Sequence, residues 1–107
     1  MKKIPLTPYV REVWIARDKR EFEATYRRLT GGQVYKIQSN SAGRCHFLAP
    51  KKGPGVYLVW ADKPWALAHE LSHVCLDLFD YIGSHPGGCN GEPFCYLLGH
   101  LFEAAKK

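Results

Sequence analysis

Trp60-Ala61-Asp62-Lys63-Pro64-Trp65-Ala66-Leu67-Ala68-His69-Glu70-Leu71-Ser72-His73-Val74-Cys75-Leu76-Asp77-Leu78-Phe79-Asp80-Tyr81-Ile82 is the stretch that decides how this 107-residue chain folds. Asp62 offers a side-chain cap for a helix, and Pro64 falls in its first turn, where a missing N–H costs nothing. Leu67, Leu71, Val74, Leu78 and Ile82 recur at steps of three and four and mark one buried helical face. Gly83 closes the run, because glycine accepts the left-handed backbone that commonly ends a helix.

On such a helix His69 and His73 leave the same side, one turn apart, away from the Leu71 and Leu78 side. Glu70 is rotated about 100° from His69, beside the pair. Two imidazoles so placed can grip one ion, and the carboxylate can reach a water on that ion without ligating it. This is the H-E-x-x-H spacing of zinc peptidases, two ligands and a general base. Five residues alone recur by chance, and a solvated helix face would carry the same letters. Here the motif lies mid-helix with its polar residues on one side and Leu71 and Val74 on the other. Asp77, one turn further on, can accept the second N–H of a ligating histidine.

Upstream, Val56-Tyr57-Leu58-Val59-Trp60 is the clearest strand, β-branched and aromatic, and it runs directly into the helix. Arg44 to Ala49 is also strand-like, and Pro50-Lys51-Lys52-Gly53-Pro54-Gly55 turns the chain between them. If either strand lies at a sheet edge beside the histidines, its free backbone groups can pair with an extended peptide. An internal strand offers none. Residues 8–16 read as a short strand, and Asp18 caps a helix from Lys19 to Thr30. Glu21 completes a capping box there, and Phe22, Tyr26 and Leu29 face a core. Gly31-Gly32 ends that helix, residues 33–37 alternate as a second short strand, and Ser39 to Gly43 is loop.

Downstream, Ser84 to Gly91 is a glycine-rich loop. A last helix follows, with Asn90 as cap and Pro93 in the first turn. Phe94, Leu97, Leu98, Leu101 and Phe102 form its broad apolar face. Glu92 opens this helix, with Tyr96 one turn on. Eighteen residues separate His73 from Glu92, enough to reverse the chain and lay the second helix beside the first.

H-E-x-x-H followed by a helix-borne glutamate resembles the gluzincin group of zinc metallopeptidases. The short chain, with Gly91-Glu92-Pro93-Phe94-Cys95-Tyr96-Leu97-Leu98-Gly99 after the motif, looks like the small metallopeptidases encoded by phages and prophages. The likeness covers about residues 56–105. It implies that His69, His73 and Glu92 bind Zn2+, that Glu70 is the catalytic base, and that the substrate is a protein or peptide. Gluzincins often carry Asn before the third ligand and an acidic residue one turn after it; Gly91 and Tyr96 stand there. His85 is the rival third ligand, held less firmly by its loop. The metzincin spacing fails, because position 79 is Phe. Candidate donors to a developing oxyanion are Tyr96, His100, Tyr81 and His85.

The expected architecture is a single α+β domain over 1–107, a minimal zincin-like fold. A small, mostly antiparallel sheet would pack with an N-terminal helix, the H-E-x-x-H helix and a C-terminal helix. Hydrophobic residues at 46% and aromatics at 13% fit a globular chain. No apolar run reaches spanning length, and the prolines at 5 and 8 interrupt any signal-like segment, so a cytoplasm is the expected compartment, that of a bacterial host if the chain is phage-encoded. Charge is divided: residues 1–60 carry 12 Lys/Arg against 4 Asp/Glu, and residues 61–107 carry 3 against 6. The acidic half is the one with the cation-binding motif. The basic half raises a nucleic-acid reading through Arg17, Arg20, Arg27, Arg28, Lys51 and Lys52, but the charges are scattered and no DNA- or RNA-binding signature accompanies them. A zinc-stabilised interaction module without catalysis, such as an inhibitor of a host protein, is the other alternative. Cys45, Cys75, Cys89 and Cys95 form no C-x-x-C pair and are expected to be free thiols, a Cys89–Cys95 disulfide being the lesser possibility.

Overall fold

A four-stranded sheet in the order β1-β2-β4-β3 divides the molecule into two cores. The computed structural model describes residues 1–106, with β1 (Lys2–Pro5), β2 (Arg11–Ile15), α1 (Lys19–Leu29), β3 (Gly43–Leu48), β4 (Gly55–Ala61), α2 (Pro64–Ile82) and α3 (Glu92–Lys106). The α+β expectation holds. The sheet is mixed: β1–β2 and β3–β4 are antiparallel, and β2 and β4 pair in parallel.

β4 explains the two cores. It is internal, so both its faces are covered, and its apolar run alternates between them. Tyr57 and Val59 point toward α2 and α3, where Val13, Leu71, Val74, Cys75, Leu78 and Leu101 close one core. Val56, Leu58 and Trp60 point the other way, onto Trp14, Phe22, Ile37 and Leu48 beneath α1. The apolar stripe of α2 behaves as its spacing requires, with Leu71, Val74 and Leu78 buried and Leu67 and Ile82 packed at the margin.

Several local expectations change. Asp62 does not cap α2. Its N–H still belongs to the β3–β4 ladder, donating to Ala42 O at 2.9 Å, and the cap position is Lys63, which makes no side-chain capping bond. Gly83 does end α2, at φ 76°. Asn90 does not cap α3: it sits at φ 59° in a turn of 3-10 helix, whereas an N-cap needs extended backbone. β1 carries no sequence signal of its own, because its four residues are too short to show a period. Residues 33–37 are irregular despite their alternation. The Glu23 carboxylate accepts the Ile37 N–H at 2.8 Å, and Tyr35 and Ile37 pack onto the α1 core without a partner strand.

Candidate metal centre

β3 is an edge strand, and α2 runs along the same side of the sheet, leaving a cleft of about 750 Å³ between them. Its walls include His69, Glu70, His73 and Asp77 from α2, Arg44 to Phe47 from β3, Tyr57 from β4, and Tyr35. The helix thus delivers what its period promised: both histidines are exposed on one side, with Leu71, Val74 and Cys75 in the core behind them.

The two Nε2 atoms lie 3.3 Å apart, with the rings near perpendicular at 81°. Two nitrogens at the zinc–imidazole distance of roughly 2.0–2.1 Å and at a tetrahedral angle would be about 3.3–3.4 Å apart. The pair therefore has the spacing of two corners of a zinc tetrahedron. For a direct N–H···N bond the same separation is long. The residues fit the ion as far as the pair goes. Among the described residues, no group of three His, Cys, Asp or Glu side chains is arranged to hold a metal.

Glu70 is 8% exposed, and its Oε2 is 4.0 Å from His69 Nε2. Gly43 makes that position possible. A Cβ there would stand 3.0 Å from Glu70 Cγ, 3.1 Å from its Oε2 and 3.1 Å from Trp60 O, all tighter than most Cβ contacts. The absence of a side chain at 43 therefore lets the carboxylate lie against β3 beside the imidazoles without being displaced.

Asp77 lines the same cleft, but no hydrogen bond ties it to the histidines. Its Oδ2 accepts from Arg11 Nη1 at 2.9 Å and from the Tyr57 hydroxyl, which itself accepts from Arg11. Burial, and then the bond to Asp77, push the Tyr57 phenol well above its usual range, so it stays a donor. Arg11 is further enclosed by the Tyr81 ring, 3.5 Å from its guanidinium carbon, and the Phe47 ring at 4.2 Å. This cluster closes the Phe47 end of the cleft. The Cys45 thiol is pushed up to about 12 by burial, with smaller contributions from the charges of Glu70 and Asp77, so it stays protonated beside the histidines. A thiolate nucleophile has no support there. All four cysteines are free.

The downstream candidates lie elsewhere. α3 packs with Phe94 against Phe79, ring centroids 5.4 Å apart, so its first turn sits beside the C-terminal part of α2. Phe79 is six residues past His73, about 9 Å along the helix axis. Glu92, Tyr96, His100 and His85 are exposed, and none of them lines the cleft. The apolar face of α3 governs this placement: Leu97, Leu98, Leu101 and Phe102 join the α2 core and fix the helix where they bury best. Phenolic groups on the cleft come instead from Tyr35 and Tyr57. Neither stands near the motif in sequence, and only the β3–α2 packing gathers them.

The register of β3 completes the site. Ala42 O bonds Asp62 N, which makes 44, 46 and 48 the residues that exchange hydrogen bonds with β4. Consistent with this, Gly55 N and Val59 O turn the other way, to Val10 O at 3.2 Å and Ala16 N at 2.8 Å. The N–H and C=O groups of Cys45 and Phe47 therefore face outward along the free edge, beside the cleft. The Gly43 carbonyl accepts from Ser41 Oγ at 2.9 Å.

No helix among the described residues is long and apolar enough to cross a membrane. Compared with models of protein families, with curated proteins and with solved structures, the chain matches none.

Proposed function

We propose that this protein is a zinc-dependent peptidase in which His69 and His73 hold the ion and Glu70 is the general base. The observation that carries the reading is the 3.3 Å separation of the two Nε2 atoms, with the Glu70 carboxylate set beside them. A bound zinc would supply a Lewis acid and a water acidified toward neutral pH. Everything else falls to the chain. Glu70, in a mostly water-excluded position against Gly43, takes a proton from the attacking water and passes it to the leaving amine. The outward N–H and C=O groups of Cys45 and Phe47 pair with an extended substrate and hold its backbone along the cleft. Of the two phenols that line the cleft, Tyr35 is the one left to serve the developing oxyanion, because the Tyr57 hydroxyl is bonded to Asp77. The histidine pair and the base match the gluzincin resemblance, whereas Glu92, the third ligand that resemblance implies, does not line the cleft.

The non-catalytic alternative needs the metal to clamp α2 to α3. Those helices meet through Phe79, Phe94, Leu97 and Leu101, and such a clamp is not required. Elemental analysis tests the reading. Purified protein should carry about one zinc per chain, His73→Ala should lose it, and Glu92→Ala should keep it. Zinc lost in Glu92→Ala would bring that carboxylate back as the third ligand. A wild-type protein without zinc after reconstitution would return the histidines to a solvated helix face.

A further inference from the structure

Arg44 stands out among the groups that line the cleft. It is the one permanently charged cation there, and it forms no ion pair among the described residues. Its Nε is buried without a hydrogen-bond partner, the only such side-chain atom in the described part of the chain. A buried donor left unpaired costs roughly 1–3 kcal/mol, so its retention asks for a reason. Arg11, the other guanidinium of this region, is already committed to Asp77 and Tyr57. Arg44 has the free fork.

Its place on β3 says what the fork would meet. Successive side chains of a strand point to opposite faces. Cys45 and Phe47 point toward α2 and the histidines, and Arg44 and His46 point to the other side of the ridge, where His46 lies between Tyr35, Tyr26 and Phe22. A peptide added antiparallel to the edge exchanges hydrogen bonds with Cys45. Its residue opposite Cys45 then shares the histidine face, and the next residue lies opposite Arg44 on the other. Arg44 then falls in a non-hydrogen-bonded pair, the closer kind, with Cα atoms about 4.5 Å apart. A carboxylate side chain at that position reaches the guanidinium in bidentate geometry.

On the footing of the function proposed above, we infer that Arg44 sets the specificity of the cleft: the protein takes an extended peptide with an Asp or Glu next to the residue lying over His69 and His73. Arg44 is a recognition residue, acting on the substrate one position from the reacting bond and on the opposite side of the β3 ridge.

Binding separates this inference from hydrolysis. Fluorescent decapeptide pools, randomised over uncharged residues except for one central Glu, Gln or Lys, are titrated by anisotropy against the Glu70→Gln protein with zinc in the buffer, so that bound peptide persists. The Glu pool is expected to bind about tenfold to a hundredfold more tightly than the other two. Adding Arg44→Gln should erase the difference, Arg44→Lys should keep part of it, and Arg44→Glu should turn the preference to the Lys pool. Equal affinities, a Glu preference that survives Arg44→Gln, or no binding of any pool would overturn the inference. The two readings fail separately. A Glu preference in a protein that neither holds zinc nor cleaves removes the hydrolysis and keeps the recognition. Zinc and cleavage without that preference do the reverse.

Discussion

The two sides of β3 use the same residue type in opposite ways. On one side His69 and His73 stand exposed in the open cleft with their Nε2 atoms facing each other, each ring packed only against the other. On the other, His46 is wedged against Tyr35 at 4.7 Å and Tyr26 at 5.5 Å between ring centroids, with Phe22 beneath. Burial, and then the charge of Arg44, hold the His46 pKa below its usual value, so that imidazole stays neutral and packs as an aromatic. The difference lies in neighbours, not in the imidazole. α2 supplies a rigid 3.6-residue period that brings two rings together at the surface, whereas β3 supplies a pleat that sends a single ring into a core.

The largest effect that would break this contrast concerns Glu70. Glu70→Gln keeps shape and hydrogen-bonding capacity and removes only the base. Peptide hydrolysis should fall by about 10²- to 10⁴-fold, with zinc content and thermal midpoint little changed. Activity surviving that substitution would strip the cleft side of its chemistry and leave it a metal-binding surface. Zinc and activity lost together would instead make Glu70 a determinant of the site's structure.

A smaller effect is expected one residue outside the motif, at Gly43. The added methyl of Gly43→Ala meets Glu70 Cγ and Oε2 at 3.0 and 3.1 Å and the Trp60 carbonyl at 3.1 Å. The backbone carbonyl cannot yield, so Glu70 must move by a few tenths of an ångström. The rate should drop about tenfold, since misplacement by 1 Å is worth about a hundredfold, while zinc content stays at the wild-type level. An unchanged rate would mean that the carboxylate is not positioned by β3.

Gly43 also marks the limit of what the letters disclose. The histidine spacing, the buried stripe, the Gly83 stop, the β4 strand and the amphipathic α3 all follow from local periods, and each appears where those periods put it. What needed the three-dimensional arrangement was every relation between distant elements. Gly43 and Ser41 read as loop residues, yet they shape the edge beside Glu70. Asp77 reads as a partner for a histidine, yet Arg11, 66 residues earlier, takes it. The resemblance makes Glu92 a ligand and 18 residues suffice for a helical hairpin, but chain length does not set where a hairpin docks. The Phe79–Phe94 contact does. Arg44, the one unpaired cation on the cleft, is a single basic residue among twelve in the first sixty.

The smallest predicted effect tests the other half of the contrast and concerns pH. His46 binds its proton less readily folded than unfolded, so between its depressed folded pKa and the unfolded value of about 6.5 the unfolded chain carries the extra proton. The contribution of His46 is therefore full above about pH 6.5 and is lost as pH falls through that value toward the folded pKa. His46→Phe keeps an aromatic ring against Tyr35, Tyr26 and Phe22 and removes the titration. In zinc-free protein, stability between pH 7 and pH 5 should fall less for His46→Phe than for wild type. The gain should be on the order of a few tenths of a kcal/mol, because His46 is only half-buried and solvent screens the penalty. Parallel stability curves would mean that His46 protonates freely in the folded protein. The aromatic packing on the α1 side would then not hold it neutral, and the two sides of β3 would differ less than their neighbours suggest.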